Sequence, residues 1–425
     1  MNNPSLSPAA LAALPDEKLL EAVQRQTFAF FWEASHPVSG LAPDRCTTSA
    51  DPADDLVATG GSGFSVMAHI VAAERGWITR AAAAERIGHM LELLNRATCY
   101  HGVYPHFMNG RTGATIPFSR KDDGGDLVET SFLFMGLLCA REYFKRKNPQ
   151  ESKIRGLIDY LWSEVEWTWY TRGGSVLQWH WSPNNGWALD HDIRGWNECL
   201  VTYVLAASAP RYRISPRVYH EGFAVGRNFL NGKSYYDFDL PLGAPFGGPL
   251  FLSQYSFCAM DPRNLTDRYA DYWQQNLAHV RINHAHCATN PQGHRGYSAQ
   301  CWGLTASDDP GGYAVHDPAN DNGTISPTAA LSSLPYTPLE SLAAMRHFLR
   351  RYGNKVWGRY GFVDAFSERR DWYADTFLAI DQGPIVIMIE NHRSGLLWRL
   401  FMSIPEIQVS LRKLGFSSPR ISPQR

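Results

Sequence analysis

This chain of 425 residues lacks a cysteine framework, an excess of charge and a long apolar run. Its seven cysteines are scattered and include no C-x-x-C pair, so neither a disulfide scaffold nor a zinc ribbon is indicated. Basic and acidic side chains nearly balance, at 40 against 41, which makes nucleic acid and anionic membranes poor partners. No segment is long and apolar enough to predict a transmembrane helix.

The N-terminus, from Met1 to Pro15, also lacks the basic start and apolar stretch of a signal peptide. As written, the sequence predicts a cytoplasmic protein, with the periplasm as the alternative if a leader has been removed. Nothing in the sequence predicts an oligomeric state.

Aromatic residues, by contrast, are abundant: 14 Trp, 19 Tyr and 21 Phe make up 13% of the chain. Several of them stand in polar segments rich in glycine or asparagine, where a core role is not expected. Flat rings beside hydroxyl and amide groups suit a sugar, which has apolar C–H faces and a polar rim. The composition therefore favours a carbohydrate ligand.

Helical periodicity recurs along the whole chain, and strand alternation is scarce. The predicted helices, about a dozen, include residues 216–230 and 371–393. Joined alternately by short and long connections, they predict an all-α fold, the (α/α)6 toroid with two concentric rings of six. We expect one catalytic domain over residues 1–425, with irregular segments at 1–15 and 416–425. The long connections carry most of the Gly, Asn, Trp and His, which is typical of functional loops. They span residues 35–60, 98–125, 168–192, 231–263 and 304–325.

Four carboxylates are packed into the eight residues from Asp122 to Glu129, directly ahead of an apolar helical run. One interpretation is structural, because Asp126 and Glu129 have the spacing of an N-cap and its N3 partner. Capping leaves Asp122 and Asp123 unexplained. The alternative is that these acids form part of a functional site at a helix entrance.

Two further acids stand out: Glu198 at the start of an apolar helix, and Asp381 at the end of a buried one. Glu198 follows a loop rich in tryptophan, and a carboxyl in such poorly hydrated surroundings tends to a raised pKa, as a general acid requires. Its structural alternative is an ion pair with Arg194. Asp381 precedes a Gly-Pro break and a strongly apolar run, and its structural alternative is an N-cap for the helix from Pro384.

Separated carboxyl groups among aromatic residues are what a glycosidase needs, one acid to protonate the leaving oxygen and one carboxylate to activate water or attack the anomeric carbon. The His284-Ala285-His286-Cys287 segment, with His294 and Cys301, lacks the spacing of known zinc sites, so we predict no metal and no cofactor. The predicted substrate-binding residues are Phe64, Trp181, Trp187, Trp196, Asn197, Trp302, Tyr373 and Gln382.

Five sequence strings, at residues 54–64, 123–132, 196–198, 300–308 and 380–385, carry a resemblance that extends over about residues 17–415. On these strings the chain resembles glycoside hydrolase family 144, the bacterial β-1,2-glucanases. The resemblance implies an (α/α)6 toroid and hydrolysis of linear or cyclic β-1,2-glucan to sophorose or short sophoro-oligosaccharides without a cofactor. It also implies a set of functional acids, which are Asp122, Asp126, Glu129, Glu198 and Asp381.

Within that set we expect Glu198 and Asp381 to be the proton donor and the base of an inverting reaction, and the other acids to orient substrate or relay protons. The related cyclising domain of cyclic β-1,2-glucan synthases is similar but transfers glucan chains, so a retaining transglycosylase is one alternative. A catalytically silent glucan-binding protein is the other.

Overall fold

A computed structural model describes residues 6–49 and 55–421 of the chain. Fourteen α-helices lie in these residues. They are α1 (Pro8–Ala12), α2 (Asp16–Glu33), α3 (Thr59–Glu74), α4 (Arg80–Leu94), α5 (Leu127–Tyr143), α6 (Pro149–Glu164), α7 (Leu200–Ser208), α8 (Pro216–Val218), α9 (Tyr272–Thr289), α10 (Pro327–Leu331), α11 (Pro338–Arg351), α12 (Ala379–Arg393), α13 (Leu396–Met402) and α14 (Pro405–Lys413).

The helices alternate between two rings along the chain, which confirms the (α/α)6 toroid. The inner ring consists of α3, α5, α7, the helical turns at Leu250–Ser253 and Ser256–Cys258, α10 and α12. The outer ring consists of α2, α4, α6, α8 with the turn at Tyr219–Phe223, α9 and α11. Helices α13 and α14 pack against α5, α7 and α12.

The two rings differ in which faces of their helices are apolar. In α11 the buried residues follow a single stripe through Ala344, Met345 and Phe348, and its arginines face outward, as expected of a helix with one solvated side. The inner helix α3 is buried from Thr59 to Ala72 on all sides. The sequence of each helix therefore determines its ring.

Helices α3 and α5 approach each other through glycine. A Cβ on Gly63 would lie 2.1 Å from the Phe132 carbonyl oxygen, and a Cβ on Gly136 would lie 2.1 Å from the Gly63 carbonyl oxygen. Both distances are far inside van der Waals contact, so any side chain at either position would force the helices apart.

Short antiparallel strands fill the long connections. They are β1 (Arg45–Thr47), β2 (Leu56–Ala58), β3 (Phe107–Asn109), β4 (Thr115–Ile116), β5 (Gly125–Asp126), β6 (His180–Trp181), β7 (Leu230–Tyr235), β8 (Phe238–Leu242), β9 (Ala306–Asp309), β10 (Gly312–Val315), β11 (Trp357–Gly358), β12 (Gly361–Phe362), β13 (Phe366–Ser367), β14 (Trp372–Tyr373) and β15 (Thr376–Leu378). Three of them, β2, β5 and β15, lead directly into the inner helices α3, α5 and α12. The first turns of these helices are thereby fixed by strand pairing, β2 with β3, β5 with β6 and β15 with β1.

Several boundaries differ from expectation. Residues 8–12 form a helix within the segment expected to be irregular, because Ser7 caps it and Pro8 suits its first turn. Helix α12 begins at Ala379 rather than at Asp371, since residues 357–378 form five short strands instead. The expected helix over 216–230 is only three residues of α-helix before a π turn. Residues 1–5, 50–54 and 422–425 lie outside the described part.

None of the helices in residues 6–49 and 55–421 has the length and apolar character needed to cross a bilayer.

Candidate active site

Asp126 is the N-cap of α5, as the capping interpretation predicts. Its Oδ1 accepts the backbone N–H groups of Val128 (3.0 Å) and Glu129 (2.9 Å). Its Oδ2 accepts a hydrogen bond from Trp179 Nε1 (3.1 Å) and contacts His106 Nδ1 (3.2 Å). The carboxylate is fully buried, and both of its oxygens have partners. Asp126 therefore caps α5 and also belongs to the acid cluster.

Glu129 stands at N3 of α5, but its side chain does not close a capping box. The Asp126 N–H donates to the Tyr104 carbonyl oxygen instead (2.9 Å). Glu129 Oε2 accepts the N–H of Gly60 in the first turn of α3 (2.7 Å), where a Cβ would lie only 2.6 Å from that oxygen. Burial, together with the charge of Asp126, raises the pKa of Glu129 to about 7.

A buried histidine, His180, and a half-buried one, His106, flank the same cluster. Burial alone would lower the His106 pKa, but Glu129 and Asp126 outweigh it and raise the pKa to about 9, so His106 is a cation at neutral pH. Asp122 lies 3.2 Å from His180 Nε2, which already accepts the N–H of Gly124. Burial and the Asp126 charge raise the pKa of Asp122 to about 7.

Glu198 lies two residues before α7 and does not pair with Arg194, which instead contacts Asp192. Ser256 in the inner ring donates to the Glu198 carbonyl oxygen and accepts the Val201 N–H, which anchors the start of the helix. Burial is the main cause that raises the pKa of Glu198 to about 7, with smaller contributions from Asp126 and Glu129. A carboxyl with this pKa is suited to give up a proton near neutral pH.

Asp381 is buried in the first turn of α12, and the structural alternative for it is wrong. The helix begins two residues before Asp381 and runs through Pro384, so the cap position falls on Leu378. The Asp381 side chain instead meets that of Asp364, a buried acid in the connection before β13. Burial and the charge of Asp364 raise the pKa of Asp381 well above its ordinary value.

Tyr255 lies within electrostatic reach of both acid groups. The charges of Asp381 and Glu198 both act on its hydroxyl, and with burial they raise its pKa well above the ordinary value. Its ring packs on Phe64 (5.5 Å between centroids) and Phe132 (5.7 Å). Phe64 is fully buried against Tyr255, so it supports the Tyr255 ring from within the core.

The other predicted substrate-binding residues divide into two groups. Trp181 and Trp187 belong to a half-buried aromatic cluster with His101 and Trp169, next to the strand pair β5–β6 that carries Asp126. Tyr373 is half-buried and packs on Phe366. The remaining four have structural contacts. Trp196 packs on Tyr272 in the core, and Trp302 is fully buried. Asn197 accepts the Cys199 N–H, and Gln382 donates to the Phe362 carbonyl oxygen.

Two clusters bear on metal binding. His106, Asp122 and Asp126 offer ligand atoms within 4.8 Å of one another, but the Asp126 oxygens are already occupied by the donors described above. In the histidine-rich segment, His286 Nε2 contacts Asp321 Oδ2 (2.9 Å) and His294 Nε2 lies 3.5 Å from Asp321 Oδ1. Tyr297 also donates to Asp321 (2.7 Å), so these side chains form a hydrogen-bond network that holds their loop in place.

Sequence reasoning missed three residues of the site: His106, Tyr255 and Asp364. His106 stands in one of the long connections, and this position was the only feature of the sequence that could have indicated a role in the site. Tyr255 stands between two helical turns too short to show periodicity. Asp364 falls in a connection between residues 353 and 378 that was not recognised as one.

An inner ring of helices whose first turns carry buried acids defines the class of protein as a toroidal glycosidase-like fold, and comparison identifies the family. The family model described as "Putative glucoamylase" matches residues 190–405. The chain belongs to this family, glycoside hydrolase family 144, as its sequence resemblance predicts.

Individual relatives are similar over most of the chain. A crystal structure from Bacteroides uniformis is 54% identical, with 96% of this chain and 99% of that chain covered and a TM-score of 0.94. An endo-β-1,2-glucanase of Chitinophaga pinensis, solved with sophorotriose and glucose, is 49% identical, with 96% and 100% covered and a TM-score of 0.93.

A curated relative from Parabacteroides distasonis, an exo β-1,2-glucooligosaccharide sophorohydrolase, is 43% identical over 94% of this chain. The chain spans 58% of the length of that relative.

Proposed function

We propose that this protein is a glycoside hydrolase that cleaves the β-1,2-glucosidic bonds of β-1,2-glucan and releases sophorose or short sophoro-oligosaccharides. The observation that carries the proposal is the presence of two buried acid groups that both act on the hydroxyl of Tyr255. One group contains Glu198, whose pKa of about 7 leaves much of it protonated at neutral pH, and the other contains Asp381. The activities in the names of the Chitinophaga and Parabacteroides relatives support the choice of substrate.

In this mechanism Glu198 is the general acid, since it is buried and holds a proton near neutrality. It protonates the glycosidic oxygen as the bond to the anomeric carbon breaks. Asp381 receives the proton of the water that attacks the same carbon from the opposite side. Asp126, Glu129 and His106 hold the start of α5 in one arrangement through the contacts described above, and Asp122 lies beside His180.

The test is to incubate the protein with linear β-1,2-glucan and to follow the first product by proton NMR. We expect short products and an initial α-anomer, because a water attack opposite the leaving group inverts the β-linkage. An initial β-anomer, or longer products when sophorose is added as an acceptor, would identify a retaining transglycosylase instead. Failure to consume linear or cyclic glucan would refute the proposal.

Product size tests the finer point of where the chain is cut. Release of sophorose alone from the start indicates exo action, as the name of the Parabacteroides relative states for that protein. A ladder of intermediate oligosaccharides indicates endo action, as stated for the Chitinophaga relative.

A further inference from the structure

Two buried carboxyl groups face each other at the start of α12. Asp381 Oδ2 and Asp364 Oδ1 are both inaccessible to solvent, and neither meets a donor group among the described residues. The two side chains are nevertheless in hydrogen-bonding contact with each other. Carboxylate oxygens only accept hydrogen bonds, so such a contact requires a proton between them.

Asp364 is held in place independently of Asp381. Its Oδ2 accepts the N–H of Asp308 (2.6 Å), and its own N–H donates to the Thr376 carbonyl oxygen on β15 (3.0 Å). The Asp308 carboxylate is fixed in turn by Arg45 Nη1 (2.9 Å) and Thr376 Oγ1 (2.5 Å). Within residues 6–49 and 55–421, no backbone or side-chain donor meets the other oxygen of Asp364, Oδ1.

The groups around the pair are mostly anionic or neutral. Arg45 is already paired with Asp308 and with Asp44, whose carboxylate it contacts at 3.0 Å. Burial and the neighbouring acids raise the pKa of Asp364 to about 7 and that of Asp381 well above its ordinary value. The titratable and charged groups that act on the two carboxyls are Asp44, Arg45, Tyr255, Asp308 and Tyr313.

We propose that Asp364 is a positioning residue that shares one proton with Asp381, so that the two carboxyl groups act together as a base with a single negative charge. The inference rests on the proposed hydrolase function for its kinetic consequence, but the shared proton itself does not depend on the substrate. Asp364 is buried and acts through Asp381.

Protons and electrons balance in the proposed step. The attacking water forms the new bond to the anomeric carbon with an oxygen lone pair and gives its proton to the free oxygen of Asp381, and the electrons of the broken O–H bond stay on the oxygen. The proton already shared moves from Asp381 Oδ2 to Asp364 Oδ1, so both carboxyls end neutral. The electrons of the broken glycosidic bond go to the leaving oxygen, which takes the proton of Glu198. Exchange with solvent then removes one proton from the pair and restores Glu198.

Asp364→Asn tests the shared proton directly. Because the amide can donate to Asp381 and carries no charge, Asp381 ionises as an isolated carboxylate. Infrared titration of the carboxylic acid band between about pH 5 and pH 9 is expected to show one proton fewer released than in the wild type. Asp381→Asn provides a second variant, which leaves Asp364 alone and is expected to show the same loss.

Asp261→Asn is the matched control. Asp261 is a fully buried acid paired with Arg263 (2.8 Å) and Arg420, away from the site acids. Its replacement is expected to lower the melting temperature while the proton count over the same range stays that of the wild type.

Kinetics on β-1,2-glucan give the second measurement. Asp364→Asn is expected to lower kcat at least about tenfold with KM nearly unchanged, because Asp364 supports the base and not the sugar. An unchanged infrared titration in both variants overturns the shared proton. A lost proton with wild-type kcat overturns the positioning role. If the wild type does not hydrolyse glucan but the variants lose the proton, the proposed function fails and the shared proton stands.

Discussion

The acids before α5 and the acid in α12 occupy equivalent positions, in or just before the first turn of an inner helix, yet their surroundings are opposite. Asp126 is surrounded by donors, two backbone N–H groups, an indole and a histidine. Asp381 Oδ2 meets only another carboxyl. A helix start therefore does not determine the chemistry of its acid; the partners supplied by the connecting loops do.

The same raised pKa thus has different consequences in the two regions. At Glu129 the raised value coexists with a backbone donor from α3 and a nearby cationic histidine, so its charged form has partners ready. Burial is the largest cause at both residues, but at Glu198 it is opposed by a hydrogen bond from its own backbone rather than by a cationic histidine, which leaves the neutral acid favoured. We therefore expect substitutions in the two regions to have different effects on activity and stability.

The largest expected effect is loss of turnover on removal of either reacting acid. Glu198→Gln and Asp381→Asn should each lower kcat on β-1,2-glucan by about 10²- to 10⁴-fold, because each removes one proton transfer from the reaction. Steady-state kinetics with circular dichroism as the folding check measures this. Asp123→Asn is the control, since Asp123 bonds to Ser182, Asn184 and Asn185 in its loop and should retain most activity. Near wild-type activity in either variant would remove that residue from its role.

A smaller effect is expected on stability, and it has the opposite sign. Burial raises the Glu198 pKa from 4.5 to about 7. The protonated side chain therefore makes its full contribution to folding stability below pH 4.5, and this contribution is lost as the pH rises through 7. Glu198→Gln avoids that loss and should be more stable than the wild type by about 3 kcal/mol above pH 8, with little difference near pH 4.5. Urea unfolding at the two pH values measures the gap. An equal gap at both values would mean that Glu198 is ionised without cost.

The bond between α3 and α5 is expected to matter less than the reacting acids. In Gly60→Ala the new Cβ would meet Glu129 Oε2 at 2.6 Å, so the carboxylate must move off the Gly60 N–H. Loss of one hydrogen bond to a charged group, about 1.5–3 kcal/mol, predicts a fall in kcat/KM of about 10- to 100-fold.

Gly88→Ala is the helical control for that substitution and gives the smallest effect. No atom lies within 4 Å of a Cβ at Gly88 in α4, so alanine should only improve helix propensity. We expect unchanged kinetics and a gain of about 0.5–1 kcal/mol in the free energy of unfolding. If both glycine variants behave alike, Glu129 does not need its α3 partner.

The sequence predicts the ring architecture and the helix starts at Asp126 and Glu129 because both are local patterns. It places Asp381 at a helix boundary but assigns the wrong position, since Gly383 and Pro384 are typical of such a boundary and here lie inside α12. Asp364 was missed for a related reason. Residues 371–393 were interpreted as one helix, which hid the strands that bring Asp364 against Asp381, a contact that depends on pairing across the chain.

The predicted aromatic residues show the same limit. Trp196 and Trp302 stand in polar segments of the sequence, yet both are buried, because the loops fold back over the ring. Trp181 and Trp187 remain beside the strand that leads to Asp126, and their role in substrate binding stays a prediction.

The contact of Gly63 with α5 and of Gly136 with α3 has a consequence for how this protein can evolve. Where two helices meet main chain to main chain, no side chain can be exchanged to adjust their spacing. The distance from Gly60 to Glu129 is therefore inherited from the backbone. A single added methyl group at Gly63 or Gly136 would push α3 and α5 apart beside the contact between Gly60 and Glu129.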